Sequence, residues 1–194
     1  MGRPQVRFSV DDFLAWESTQ DERHEFIGGE VFAMVGARRV HNIVTGNIYA
    51  TLRQQLRGSP CRAFIETAKL RTADDAVFYP AVFVTCDPDD LRTEQVFRAP
   101  TVVVEVLSPS TEGQDRGIKF AHYRRLASLR EYLLVGPDSR ELTLFRRGAD
   151  GLFTLHDLTG APAVELASIA CTLPADEVFD GLEPDAQQAL PGIV

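Results

Sequence analysis

The chain has 194 residues, a length that suits one domain with a sizeable hydrophobic core. Hydrophobic residues make up 44% and charged residues 25%, which are ordinary values for a globular protein. No apolar run approaches the roughly 20 residues needed to span a bilayer, and the first residues lack the apolar region of a signal peptide. These properties argue against a membrane protein, and we expect a cytoplasmic domain.

The charge is acidic overall but unevenly distributed. A formal net charge of −8 argues mildly against a general nucleic-acid binder. Residues 38–71, however, contain seven basic residues and one acid, and residues 116–130 contain five basic residues and no acid. These two strips could form a basic face, or they could be two solvated helix faces.

The three cysteines are Cys61, Cys86 and Cys171. They are odd in number, far apart in the chain and in no spacing typical of metal ligands. In a cytoplasmic protein this pattern predicts reduced, mostly buried thiols.

The first third of the chain reads as helix, hairpin, helix. Ser9 is a suitable N-cap for a short helix with acids in its first turn. Gly28 and Gly29, between two alternating apolar segments, predict a tight β-hairpin. Apolar residues that repeat at intervals of four predict a helix over 40–56.

The rest of the chain reads mainly as strands, with one more helix. Strands are predicted over 62–65, 68–72, 77–85, 153–158 and 163–166. A continuous apolar run over 101–107 is typical of a central strand buried on both faces. A helix follows over about 117–127, then a hairpin built from 131–135 and 141–146, and a short closing helix or loop. The order predicts an α/β or α+β fold with a mixed sheet.

Glu105 is the strongest functional signal. An acid inside the apolar run TVVVEVL costs several kcal/mol to bury unless it is paired or binds a cation. It lies near the end of its strand, where side chains reach the crevice at the sheet edge. The alternative is an edge-facing acid paired with an arginine.

Lys119 is the second signal. Asp115, Lys119 and Tyr123 recur at intervals of four, which places them on one helical face or its N-terminal extension. The chain has only two lysines against eighteen arginines. Because the chain otherwise uses arginine, a lysine at this position suggests that an ammonium specifically is needed. An ammonium is a compact point charge that can polarise a phosphate or position a water. The alternative is a chance surface lysine.

Two further candidates precede these. Glu25 stands just before the first hairpin turn with His24 beside it, and a surface acid is its ordinary interpretation. His41 begins the long helix, and a lone histidine is more often structural than a ligand.

Seven segments occur in an order that resembles one known family: FSVDDFLAWE, HEFIGGEVFAM, HN at 41–42, FYPAVFVTCDP, VVVEVLSPST, DRGIKFAHYRRLASLREYLLV and LTLFRR. Together they resemble the Uma-type putative restriction endonucleases of the PD-(D/E)XK nuclease-like superfamily. The resemblance covers about residues 8–182, within one domain over 1–194. It implies a restriction-endonuclease-like fold, with a central mixed β-sheet flanked by helices and added hairpins.

The same resemblance implies site residues and a cofactor. The two glutamates of the family pattern map to Glu25 and Glu105, which would bind Mg²⁺, with Mn²⁺ as a substitute. The superfamily lysine two residues after the strand acid is replaced by Leu107. The family takes its lysine from the next helix instead, which maps to Lys119 as a catalytic residue, with Tyr123 beside it.

The chain departs from the family at Ala81. The family pattern Tyr-Pro-Asp reads Tyr79-Pro80-Ala81, so the expected central metal ligand is missing. Losing one of two or three carboxylates should impair Mg²⁺ binding and hydrolysis severely. Three interpretations stay open: an engineered substitution, a natural member that binds without cutting, or a neighbouring carboxylate that compensates, for which the candidates are Asp74, Asp75 and Glu66.

The resemblance therefore predicts an Mg²⁺-dependent endonuclease, inactive or impaired in this chain, or else a nuclease-like binding module. DNA is favoured over RNA as the partner. A homodimer is expected by analogy, because cutting both strands of a duplex needs two active sites. The predicted nucleic-acid contacts are Arg38, Arg39, His41 and Arg116.

Overall fold

The computed structural model describes residues 8–34, 36–72 and 76–182. The helices are α1 (Val10–Glu17), α2 (Arg39–Gln55), α3 (Glu112–Gln114), α4 (Phe120–Tyr123) and α5 (Ala175–Val178), and a π-helical turn, Asp115–Lys119, joins α3 to α4. The strands are β1 (His24–Ile27), β2 (Glu30–Ala33), β3 (Arg62–Ile65), β4 (Lys69–Arg71), β5 (Ala76–Phe78), β6 (Val82–Thr85), β7 (Val96–Phe97), β8 (Pro100–Val106), β9 (Glu131–Gly136), β10 (Glu141–Arg147), β11 (Phe153–Asp157), β12 (Ala163–Leu166) and β13 (Cys171–Pro174). Short 3-10 turns lie at Asp90–Arg92 and Ala167–Ile169.

The described strands form two main sheets and one small one. A five-stranded sheet has the order β2-β1-β5-β4-β7, and a six-stranded sheet has the order β11-β10-β9-β8-β6-β3. Both are mixed, because β4 pairs with β7 and β8 pairs with β9 in parallel while the other pairs are antiparallel. The predicted mixed α/β fold is confirmed, with two larger sheets where the sequence predicted one.

The six-stranded sheet separates two apolar clusters. Alternate strand residues such as Val82, Val104 and Leu133 join the buried face of α2 in a first cluster. Their neighbours, such as Phe83 and Tyr132, pack in a second cluster with residues of α4 and the segment after it. The central strand β8 is thus buried on both faces, as its continuous apolar run predicted.

Local sequence signals place the first elements correctly. Ser9 and Asp12 form a reciprocal capping box at the start of α1, in which the Ser9 hydroxyl accepts a hydrogen bond from the Asp12 backbone N–H at 3.1 Å. Gly28 and Gly29 adopt positive φ values of 57° and 96° in the β1–β2 turn. Those values favour glycine, which explains why the pair marks the hairpin.

The predicted strand over 77–85 is divided into two. Its first part, β5, belongs to the five-stranded sheet and its second part, β6, to the six-stranded sheet. The segment Tyr79-Pro80-Ala81 crosses between them. Because proline has no backbone N–H, it cannot donate to a strand partner, and the ladder is interrupted there.

The predicted helix over 117–127 also has different bounds. Helical structure begins earlier, at Glu112, and α4 ends at Tyr123. Arg147 on β10 donates hydrogen bonds to the carbonyl oxygens of Arg124, Leu126 and Leu129 at 2.6 to 2.9 Å. These hydrogen bonds satisfy carbonyl groups in the segment after α4. The sequence predicted that this segment would continue the helix.

The prediction of reduced thiols is wrong for two of the three cysteines. Cys61 and Cys86 form a disulfide, and Cys171 is free and buried. The pair follows from the register of β3 and β6, which places Arg62 opposite Thr85 and so brings the two flanking cysteines together. Spacing along the chain carries no information about this cross-strand contact.

None of the helices within 8–34, 36–72 and 76–182 is long and apolar enough to cross a membrane. The single domain over 1–194 and the cytoplasmic location stay predictions.

Candidate active site

Four charged side chains from three parts of the fold meet in the interior. Glu25 comes from β1 in the five-stranded sheet, Glu105 from β8 in the six-stranded sheet, and Asp115 and Lys119 from the π-helical turn. The Lys119 ammonium lies 3.0 Å from Glu25 Oε1, 3.2 Å from Asp115 Oδ1 and 3.4 Å from Glu105 Oε1. All four residues are buried. We call this set the buried ion cluster.

The crossing segment between the two sheets is attached to this cluster by its backbone. The Tyr79 N–H donates to Glu25 Oε1 and the Ala81 N–H donates to Glu105 Oε2, both at 3.4 Å. The two amides on either side of Pro80 thus contact the two glutamates. Ala81 itself is buried, and its methyl group belongs to the apolar cluster beneath α2. The backbone of Ala81 therefore lies beside Glu105, while its methyl group packs among apolar residues.

Tyr123 completes the environment of Glu105. Its hydroxyl donates to Glu105 Oε1 at 3.0 Å, and its ring is fully buried. Burial and the nearby charge of Glu105 raise the pKa of Tyr123 well above its ordinary value. The phenol therefore stays protonated and serves as a hydrogen-bond donor to the carboxyl group.

The charges in the cluster set each other's protonation. Burial, with the charges of Asp115 and Glu25 adding to it, raises the pKa of Glu105 to about 8, although Lys119 and Tyr123 oppose the shift. Burial acts to lower the pKa of Lys119, but attraction to Glu105, Glu25 and Asp115 outweighs it and raises that pKa. The lysine therefore stays an ammonium, and the charged form of Glu105 is disfavoured relative to that of an exposed glutamate.

A further buried carboxylate, Glu17, contacts residues on both sides of Glu25. It accepts hydrogen bonds from the Tyr79 hydroxyl at 2.8 Å and from the His24 backbone N–H at 2.9 Å, and lies 3.1 Å from the His24 ring. Because His24 precedes Glu25 in the chain and the Tyr79 N–H contacts its carboxylate, Glu17 fixes both flanks of that glutamate.

The less buried side of the site is formed by His41 and Glu66. The His41 ring lies 3.6 Å from Glu66 Oε1, and the two side chains are 18% and 34% exposed. Burial lowers the pKa of His41, although the charges of Glu66 and Asp115 oppose the shift. The Glu66 N–H donates to the Ala81 carbonyl at 3.2 Å, and its φ of 31° is unusual for a residue with a side chain. Of the predicted substitute carboxylates, Glu66 is near the site, whereas Asp74 and Asp75 lie outside the described residues.

The predicted metal does not fit the residues as they stand. Glu25 and Glu105 offer the hard oxygen atoms that Mg²⁺ prefers. Ala81 contributes no side-chain oxygen, and the Lys119 ammonium lies within contact distance of both carboxylates. In the part of the chain that the structure describes, no group of three or more His, Cys, Asp or Glu side chains is arranged to hold a metal ion.

The predicted nucleic-acid contacts are largely engaged with acids. Arg38 makes two hydrogen bonds to Asp138 at 2.6 and 3.1 Å. Arg116 donates to Glu112 at 2.9 Å and to Glu141 at 2.8 Å. Arg39 is exposed at the start of α2, two residues before His41. Any phosphate at Arg38 or Arg116 would compete with these carboxylates.

Sequence reasoning assigned no site role to three residues in this region. For Asp115 a signal was available, because it precedes Lys119 by four residues and was therefore predicted to share a helical face with that lysine. Glu17 and Tyr79 carried no such signal, because their contacts join segments far apart in the chain. Tyr79 lies 62 residues from Glu17.

Comparisons with known proteins agree on family and fold. The model of the family described as "Uma2: Putative restriction endonuclease" matches residues 10–174. The uncharacterized protein slr1290 of Synechocystis sp. is 34% identical over 180 residues, which is 92% of this chain and 95% of that protein. The uncharacterized protein sll1609 of the same organism is 29% identical over 155 residues, which is 78% of this chain and 88% of that protein.

A solved structure extends the likeness to the fold. The crystal structure of a putative nuclease belonging to DUF820 from Anabaena variabilis matches with a TM-score of 0.72 at 18% identity, over 88% of this chain and 97% of that one. The predicted restriction-endonuclease-like fold is confirmed by this match.

Proposed function

This chain belongs to the Uma2 family of putative restriction endonucleases, and from that premise we propose that it is an endonuclease domain for nucleic-acid phosphodiester bonds whose hydrolysis is impaired by Ala81. The observation that carries the proposal is the convergence of Glu25, Glu105 and Lys119 beside the Ala81 backbone. These groups come from different sheets and a helix, and burial of so many charges is costly unless they act together.

In this proposal each side chain has a defined task. In a chain with an aspartate at position 81, that carboxylate would hold Mg²⁺ or Mn²⁺ together with Glu25 and Glu105, and the metal would supply activation of water and stabilisation of charge on the phosphate. Lys119 provides a fixed positive charge for a phosphate oxygen. Tyr123 orients Glu105 through its hydrogen bond. DNA is the proposed substrate class, and symmetric dimerisation would allow both strands to be cut.

The direct test is to restore the carboxylate. Ala81→Asp should gain Mg²⁺-dependent nicking of supercoiled plasmid and Mg²⁺ binding by calorimetry. If the missing ligand is worth about 4 kcal/mol in the transition state, the gain over the parent chain is roughly a thousandfold.

Ala81→Asn is the matched control, because it has nearly the same shape without the charge and should stay at the parental rate. A folded Ala81→Asp protein that neither binds Mg²⁺ nor nicks plasmid would refute the enzyme proposal.

A binding module without catalysis is the second candidate. It is supported by the ammonium of Lys119, which already balances charge among the carboxylates, and by the burial of the whole cluster. Binding of nucleic acid by the parent chain in EDTA, together with no nicking by Ala81→Asp, would favour this candidate.

A further inference from the structure

A cavity of about 410 Å³ lies between the second half of α2 and the edge strand β3. Tyr49 and Arg53 of α2, with Arg57 in the turn after the helix, form one wall, and Arg62 and Phe64 of β3 form the other. This volume is within the range of pockets that bind small ligands or parts of larger ones. Because β3 is the last strand of its sheet, the cavity can be reached from that edge.

The cavity concentrates positive charge in an acidic protein. Arg53, Arg57 and Arg62 line it, and its lining contains no acid. Within residues 8–34, 36–72 and 76–182, neither Arg53 nor Arg57 pairs with a carboxylate. Arg62 donates from one nitrogen to the carbonyl oxygens of Ser59 and Cys61 at 2.8 and 2.7 Å, which fixes its guanidinium near the cavity. Guanidinium groups so placed suit phosphate oxygens.

Aromatic rings accompany these charges. Tyr49 and Phe64 are half-buried in the same lining. The Phe64 ring packs with Phe83 and Phe97 in the second apolar cluster, with centroids 5.2 and 4.4 Å away, which leaves Tyr49 of α2 as the aromatic ring on the arginine side. Aromatic rings beside arginines are the surfaces on which the bases of single-stranded nucleic acids stack.

The fold separates the basic residues of the strip over 38–71 into paired and cavity-lining groups. Arg38 pairs with Asp138 and Arg71 pairs with Asp11, so the ends of the strip are neutralised. Of the five basic residues between them, Arg53, Arg57 and Arg62 line one cavity, whereas Arg39 and Lys69 do not. Three positive charges of the strip are therefore gathered at one position.

We propose that this cavity binds a single-stranded segment of nucleic acid, with phosphates on Arg53, Arg57 and Arg62 and a base against Tyr49. The ligand class rests on the proposed function, while the location rests on the cavity itself. Arg53 lies twelve residues after His41 in α2, which corresponds to about 18 Å along the helix axis. A strand held here could extend to the candidate active site along α2.

The test measures fluorescence anisotropy of a labelled oligothymidylate in EDTA, so that metal-dependent cleavage does not contribute. Arg53→Ala/Arg57→Ala should weaken binding about tenfold or more and make the slope of log affinity against log salt shallower by roughly 1.4, because two phosphate contacts are lost. Tyr49→Leu should weaken binding about fivefold or more to the oligonucleotide but leave an abasic strand of the same length unaffected.

Arg125→Ala is the matched control, because Arg125 is an exposed arginine after α4, on the other side of the six-stranded sheet from α2. It should bind like the parent chain. Parental affinity and salt slope in the double variant would overturn the proposal, as would an equal loss in Arg125→Ala. Equal arginine dependence for a blunt duplex, or equal Tyr49 dependence for the abasic strand, would overturn the single-strand assignment.

The cavity proposal and the hydrolysis proposal can fail independently of each other. Nicking by Ala81→Asp with parental binding in Arg53→Ala/Arg57→Ala would reject the cavity alone. Cavity-dependent binding without nicking by Ala81→Asp would reject the hydrolysis alone.

Discussion

Glu105 shows how burial and neighbouring acids disfavour the charged form of a carboxyl group. It lies in a strand that is buried on both faces, and its neighbours include two other acids as well as Lys119. The raised pKa means that Glu105 holds its proton to a higher pH than an exposed glutamate does. A bound divalent cation would compete with this proton, so any metal binding should strengthen at alkaline pH.

The same shift predicts how stability depends on pH. Because the pKa rises from 4.5 in the unfolded chain to about 8 in the folded one, folding takes up a proton at Glu105. That contribution is fully present below about pH 4.5 and is lost as the pH rises through about 8. We expect the urea midpoint to fall over this window and Glu105→Gln, which resembles the protonated acid, to flatten the fall.

Glu30→Gln provides the comparison, because Glu30 is exposed on β2. It should retain the parental pH profile. An unchanged pH dependence in Glu105→Gln would show that Glu105 is not the titrating group.

Ala81 has different surroundings at its backbone and at its side chain. Its N–H contacts Glu105, while its methyl group packs with the apolar residues beneath α2. A larger polar side chain there must displace apolar contacts or turn toward the carboxylates. The Ala81→Asp variant should therefore be compared with Ala81→Asn for stability as well as for nicking.

At the scale of elements, two irregular segments build the site. The π-helical turn, Asp115–Lys119, places both an acid and the ammonium in the cluster, and such turns are frequent at functional sites. The crossing segment, Tyr79-Pro80-Ala81, directs two backbone N–H groups at the two glutamates. The regular strands carry the glutamates, and these irregular segments supply the groups that contact them.

The disulfide between β3 and β6 is the element-scale feature that is simplest to test. It closes a segment with a sequence separation of 25 residues. On the loop-entropy model such a link stabilises the folded state by about 3 kcal/mol. Cys61→Ser/Cys86→Ser should lower the free energy of unfolding by roughly that amount, measured by urea denaturation without reductant.

Reductant should then lower the free energy of unfolding of the parent chain by a similar amount and leave that of the double variant unchanged. If the parent chain is equally stable with and without reductant, and free-thiol titration shows that the disulfide was reduced, the stabilising role is refuted.

At the scale of the whole molecule, the buried ion cluster connects the two sheets. Glu25 belongs to one sheet and Glu105 to the other, and Lys119 contacts both. Removal of one partner from a buried ion pair leaves uncompensated charge and typically costs about 3–5 kcal/mol. Lys119→Met should therefore lower the free energy of unfolding by an amount in that range.

Lys69→Met is the natural control, because Lys69 is the other lysine of the chain and is half-buried on β4. Lys69→Met should lower the free energy of unfolding by much less than Lys119→Met does. Hydrogen exchange adds a second readout: β1 amides should lose protection in Lys119→Met. Parental stability and protection in that variant would show that the cluster does not hold the sheets together.

The sequence by itself determined much of this protein, for local reasons. Apolar periodicity predicted α2 and the doubly buried β8, and the serine cap and glycine pair predicted the first helix and hairpin. An acid inside an apolar strand identified Glu105, and lysine scarcity drew attention to Lys119. Family resemblance correctly predicted the fold.

Only the tertiary structure decided the rest, because those features depend on contacts between distant segments. The break at Tyr79-Pro80-Ala81 follows from membership of two sheets, and the end of α4 follows from Arg147 reaching across from β10. The disulfide follows from strand register. Convergence of the cluster on one ammonium, and of three arginines on one cavity, arises because folding removes the sequence distance between them.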